Sequence, residues 1–235
     1  MILEIAGLSK SYGALRPLRL QSLAVAGGDS VAIVGLDAAA AELLVNLITG
    51  ATLPDAGDIR IFGRATAAIA DSSDWLATVD RFGVVSDRAV LLDQLSVVQN
   101  LSMPFTLDVE PPSPEIRARA EQLAREVGLD PSALDAPAGR VADPARARVR
   151  LGRALALDPH ILLLEHASAA LAADAAQAFG ADVRAIAGRR GVAVVALTAD
   201  ERFARAVASR VLVHRPADGA LVQRKWGWFG RRGVV

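Results

Sequence analysis

Cysteine is absent from the 235-residue chain. That excludes disulfides, thiolate metal sites and cysteine nucleophiles, and it fits a reducing compartment. Three histidines, His160, His166 and His214, are too few for a histidine-rich metal site. Neither charge sign prevails. The 26 basic residues balance 26 acidic ones, so no overall field draws the chain to nucleic acid or to an anionic membrane. No run of about 18 apolar residues occurs, so no membrane-spanning helix is expected. Met1 to Lys10 alternates like a strand and lacks the basic start and apolar stretch of a signal peptide. Lysine is nearly absent, at Lys10 and Lys225 alone, with arginine in its place. That is a compositional bias and carries no functional message.

Hydrophobic residues make up 52% of the chain, enough for a sizeable core. Their periodicity predicts strands at Ile2–Ile5, Leu18–Val25, Val31–Val34, Asp58–Gly63, Phe82–Val85, Ile161–Leu164, Val192–Leu197 and Val211–Val213. It predicts helices from Ala38 to Gly50, Glu115 to Val127, Arg146 to Leu157, Ala170 to Ala187 and Glu201 to Ala208. Asp71 to Asp74 can cap another short helix through Trp75. Glu110-Pro111-Pro112-Ser113-Pro114 breaks structure. The Pro/Ala/Asp-rich segment from Asp130 to Ala145 reads as loop. Ile161 to Leu164 is fully apolar, as in a parallel sheet covered on both faces. Strands alternating with helices imply an α/β fold with a mainly parallel sheet, an antiparallel β edge at the N-terminus and no internal repeat.

The chain is organised around Val31 to Leu44: a buried strand, a turn at Gly35, then a helix. That is the frame of a phosphate-binding loop, G-x-x-x-x-G-K-[ST]. In such a loop, backbone N–H groups cradle phosphate, a lysine reaches the terminal phosphates and a hydroxyl holds magnesium. Counted from Gly35, the second glycine is Ala40, the lysine is Ala41 and the hydroxyl is Glu42. The frame is kept and the chemistry is not.

From Arg153 to Leu164 the chain reads RALALDPHILLL. With Leu8-Ser9-Lys10-Ser11-Tyr12-Gly13, Leu47-Ile48-Thr49-Gly50, Pro54, Gly57, Gly63 and Leu91–Asn100 in order, it resembles the ATP-binding subunit of ABC transporters over residues 1 to 222. The Met-Pro-Phe-Thr-Leu run at 103–107 is similar to the lipoprotein-release and macrolide-export type. The resemblance implies a P-loop NTPase-like cassette with a helical subdomain over about 88–150 and a basic, aromatic tail over 223–235. It implies ATP and Mg2+ as ligands, membrane-spanning transporter subunits as partners, and a second cassette in a homodimer or heterodimer. It places the protein in the cytoplasm, on the inner face of the plasma membrane.

Position by position, the resemblance also shows departures. Tyr12 falls where an aromatic stacks on adenine, though it reads first as an ordinary loop aromatic. The magnesium-sensing glutamine falls at Asp87. The signature loop falls at Val141 to Ala145, with Ala142, Asp143 and Pro144 in place of its serine and glycines. The magnesium-holding aspartate becomes Glu165 and the general-base glutamate becomes His166. The pair Glu165 and His166 reads first as a relic at a strand end, and otherwise as a new acid–base pair or half a metal site. Ala172 replaces a dimer-contact aspartate, and Ala199 replaces the switch histidine. The arginines at 146, 148, 150 and 153 read as a solvated helix face or as dimer contacts away from the phosphate. The tail Arg224 to Arg232 fits a membrane interface, a partner or a disordered end. With every catalytic landmark altered, the expectation is a degenerate cassette: a non-hydrolysing structural or regulatory subunit that needs no cofactor and binds no nucleic acid. The alternatives are an ATPase completed by partner residues and a soluble interaction protein on the same fold.

Overall fold

The computed structural model describes residues 1–224. In chain order the elements are β1 (Leu3–Lys10), β2 (Leu18–Val25), β3 (Ser30–Val34), α1 (Ala38–Ile48), β4 (Ala56–Ile61), β5 (Arg64–Ala65), α2 (Ser72–Val79) and β6 (Phe82–Ser86). They continue with α3 (Val97–Ser102), α4 (Pro114–Glu126), α5 (Asp143–Leu155), β7 (Ile161–Glu165), α6 (Ala173–Arg190), β8 (Ala193–Leu197), α7 (Glu201–Val207), β9 (Arg210–Arg215) and β10 (Ala220–Gln223).

Two sheets result. One is antiparallel, in the order β2-β1-β4-β5. The other runs β10-β9-β3-β8-β7-β6 and is parallel except for the β10–β9 pair. The antiparallel strands expected as an edge therefore form a sheet of their own. Strand β10 had no apolar run to announce it.

The period of two along each parallel strand explains the layering. In β7, Ile161 and Leu163 face one core while Leu162 and Leu164 face the other; β3 divides Val31 and Ile33 from Ala32 and Val34 in the same way. The first core holds α1 between the two sheets, through Leu44, Leu47 and Ile48 against Leu3, Ile5 and Ile59. The second core packs α3 to α7 on the opposite face, with Phe179 stacked on Phe203 at 6.0 Å. Each fully buried side chain of this size contributes about 1.5–3 kcal/mol relative to exposure.

Several boundaries differ from the sequence reading, and two of them have a clear local reason. Helix α5 begins at Asp143, not Arg146. Pro144 lies in its first turn, where the missing N–H has no intrahelical partner to lose. Helix α6 runs past Ala187 to Arg190 and ends on Gly191 in the left-handed conformation. Strand β1 runs to Lys10, in keeping with the alternation from Met1 to Lys10, and pairs with both β2 and β4. The segment expected as a helical subdomain carries α3, α4 and most of α5, whose apolar faces meet within the second core.

Candidate functional site

In a parallel α/β sheet, ligands lie beyond the carboxyl ends of the strands. Strands β3, β6, β7 and β8 end there at Val34, Ser86, Glu165 and Leu197, with Ser86 opposite Glu165 and Glu165 opposite Leu197. This edge gathers most of the residues singled out from the sequence.

Gly35 makes the turn at φ 95°, a conformation that favours glycine. A Cβ there would lie 3.1 Å from the His214 carbonyl oxygen. Helix α1 then starts at Ala38, capped by the Asp37 carboxylate, which accepts the Ala40 N–H at 2.8 Å. Ala41 N–H donates to the Asp37 carbonyl at 2.9 Å. Ala40 and Ala41 are buried in the first core. Tyr12 packs against the same core, and its phenol pKa is raised by partial burial and then by the Asp37 charge.

The central feature was missed in the sequence reading. Arg88, just beyond β6, reaches across the strand ends. Its Nη1 donates to Glu42 at 3.0 Å. Its Nε donates to Glu165 Oε1 at 3.1 Å, and its Nη2 donates to the second Glu165 oxygen. The Glu165 side chain is 8% exposed, against 43% for Arg88 and 47% for Glu42. One guanidinium therefore serves one buried carboxylate bidentately and one half-exposed carboxylate singly. Its pKa is raised, first by the Glu165 hydrogen bonds. The signal was available: an arginine at a strand end, adjacent to a strand ending in glutamate. Asp87 drew attention instead. Asp87 turns the other way and pairs with Arg150 at 3.3 Å.

His166 adopts a left-handed φ of 46°, and its N–H donates to the Leu197 carbonyl at 2.8 Å. Its Nε2 and the hydroxyl of Ser168 are buried without a partner among the described residues. Ala199 is exposed beyond β8. Ala142 is the N-cap of α5 and offers no side-chain cap, while Asp143 and Pro144 form its first turn. These signature-position residues belong to the start of α5.

The arginines of α5 are not a solvated face. Arg146 pairs with Asp93 at 2.9 Å, Arg148 pairs with Asp182, and Arg153 donates to the Val90 carbonyl at 2.8 Å. Loops and α6 supply acceptors along the whole basic side of the helix, so the charges are spent internally. Of the tail, Arg224 pairs with Glu201; residues 225–235 and the membrane or partner role expected of them lie outside the described residues.

Beside the strand edge, β6, α5 and the segment that follows α3 enclose a groove of about 470 Å³, lined by Phe82, Val84, Met103, Pro104, Arg150 and Arg153. Leu107 and Leu157, on its rim, are strongly exposed. Burial lowers the Arg153 pKa, and the neighbouring Arg150 lowers it further.

Residues 18–169 match the ABC transporter family. The chain belongs to that family. A methionine import ATP-binding protein MetN of Brucella abortus is 30% identical over 90% of this chain and 57% of its own length. A sulfate/thiosulfate import ATP-binding protein CysA of Methylococcus capsulatus is 31% identical over 91% of this chain and 60% of its own. The chain thus spans about three-fifths of the length of these curated relatives. The dimeric structure of MJ0796, a bacterial ABC transporter cassette, superposes with a TM-score of 0.77 at 21% identity, covering 97% of this chain and 100% of that one. The structure of cbiO1 from Clostridium perfringens gives a TM-score of 0.78 at 19% identity, over 94% of this chain and 86% of that one. The α/β, P-loop NTPase-like fold read from the sequence is that of ABC cassettes.

The ABC family implies a magnesium–nucleotide pair at this edge, and the donor set here does not suit one. No hydroxyl stands at position 42 and no lysine at position 41. Both nearby carboxylates, Glu42 and Glu165, are already bonded to a fixed cation. Among the described residues no group of three or more His, Cys, Asp or Glu is placed to hold a metal. Among those residues, too, no helix is long and apolar enough to cross a membrane.

Proposed function

We propose that this chain is a non-hydrolysing cassette subunit of a membrane transport complex, with a structural or regulatory role. The observation that carries this reading is the start of α1. Where a phosphate loop presents open N–H groups and a lysine, this chain winds a helix from Ala38 and caps it with the Asp37 carboxylate. An acidic cap and Glu42 one turn on give the helix end a negative charge, the wrong sign for phosphate.

The subunit sits in the cytoplasm on the inner face of the plasma membrane and holds membrane-spanning subunits in the groove between β6, α5 and the segment after α3. Its cassette partner is either a second copy or a chain with intact motifs. In the second arrangement the partner does the ATP work. The import names of its relatives favour uptake as the direction of transport.

The test is turnover by the assembled complex. His166→Ala, at the general-base position implied by the family, leaves ATP hydrolysis by the complex unchanged. A tenfold loss refutes the reading and favours the alternative in which this subunit itself turns over ATP. Met103→Glu, in the groove, abolishes co-purification with the membrane-spanning subunits.

A further inference from the structure

Loss of function explains alanines at Ala40 and Ala41. It does not explain a new ion-pair cluster. With lysine and hydroxyl gone, Glu42 and Glu165 stand near each other, and two carboxylates without a cation repel. Glu165 is nearly buried, so water cannot relieve its charge. Arg88 meets both, and in doing so joins three segments: the first turns of α1, the end of β7 and the loop after β6.

That loop leads straight into the groove. Asp87, on one side of Arg88, pairs with Arg150 of the groove wall at 3.3 Å. Val90, on the other side, accepts from Arg153 at 2.8 Å through its carbonyl. Both arginines line the groove. The strand-end cleft and the groove are therefore tied together through four consecutive residues, 87–90. Every tie is a charged group bonded within the chain.

We propose that Arg88 is a built-in cation that latches residues 87–90, and with them the groove wall, in one position without any nucleotide. A cation supplied by the chain itself is always present, so the groove keeps its docking shape at all times. Partner docking by this subunit is then independent of ATP. The inference rests on the reading above that the cleft has no nucleotide chemistry, and it adds what replaced that chemistry.

Amide hydrogen exchange on the full chain tests it. Wild type is compared with Arg88→Met, which keeps the length of the side chain but not the charge, each with and without millimolar MgATP. In Arg88→Met, peptides over 87–95 exchange about tenfold faster while peptides over β9 are unchanged, which separates a lost latch from global loosening. Wild type is indifferent to MgATP in every peptide. Unchanged exchange at 87–95 in Arg88→Met, with wild type indifferent to MgATP, overturns the latch and leaves the proposed function standing. Slowed exchange around Gly35 to Glu42 in wild type with MgATP overturns the proposed function itself. If Arg88→Met does not fold, Arg88→Gln carries the same test. It removes the charge and keeps a polar end, and a rate at 87–95 equal to that of wild type overturns the latch.

Discussion

Gly83, in the middle of β6, decides how closely α5 can approach the sheet. A Cβ at Gly83 would lie 2.4 Å from the Ala154 carbonyl oxygen and 2.6 Å from Leu162 Cδ2. Ordinary contacts for such an atom begin at 3.4 Å, so in Gly83→Ala the strand and helix must part by about 1 Å. The oxygen belongs to the backbone of α5 and cannot rotate away. Among the described residues β6 is the edge strand, bonded only to β7, so it is the element that yields. Overpacking of this kind costs about 2 kcal/mol, which for a chain of this size lowers Tm by about 4–8 °C. The same substitution at Gly188, within α6, meets nothing within 4 Å. There it removes a flexible residue from a helix and stabilises by about 0.5–1 kcal/mol. Thermal and urea unfolding of wild type, Gly83→Ala and Gly188→Ala measure both signs. A Gly83→Ala protein that melts within a degree of wild type refutes the packing argument. Because β6 supplies Phe82 and Val84 to the groove, the proposed function adds that Gly83→Ala weakens docking of a membrane-spanning partner and Gly188→Ala does not.

The cap of α1 predicts that Asp37→Ala destabilises by about 1 kcal/mol, whereas Asp37→Asn keeps most of the stability because an amide oxygen still accepts the Ala40 N–H; urea midpoints separate the two. Stability falls in acid with a definite sign. The hydrogen bond from Lys10 holds Asp55 below the usual carboxylate range, and the hydrogen bond from Arg64 does the same for Asp74. A pKa lowered by folding gives stability that is present above the unfolded value of about 3.9 and lost as pH falls through the folded value. Tm is therefore flat from about pH 5 to 7 and declines below about pH 4, more weakly in high salt because both pairs are exposed; a decline beginning above pH 5 contradicts the assignment.

The strand ends and the frame around Gly35 were legible because buried parallel strands are written as unbroken apolar runs and their turns as glycine. Val31 to Val34 and Ile161 to Leu164 are such runs. β10 and the two-sheet division were not legible, since Ala220 to Gln223 carries little apolar signal and pairing between distant segments leaves no local mark. The α5 boundary was missed because Pro144 reads as a breaker in isolation and is harmless in a first turn. At the site, absences could be counted from the sequence, but compensation could not. Arg88 lies 46 residues from Glu42 and 77 from Glu165; the register of β6 beside β7 brings Arg88 to Glu165, and the placement of α1 brings Glu42 to both. The α5 arginines show the same limit, since a basic helix face reveals nothing of the acids that other segments bring to it.

The central claim is that this ABC cassette keeps the fold and has left nucleotide chemistry. Equilibrium binding of ATP with magnesium to the purified full chain, by calorimetry at millimolar nucleotide, tests it most directly. The account predicts no heat of binding from a chain that melts cooperatively. Micromolar binding contradicts it, because Asp37, Glu42 and the Arg88 cluster would then have to open to admit phosphate.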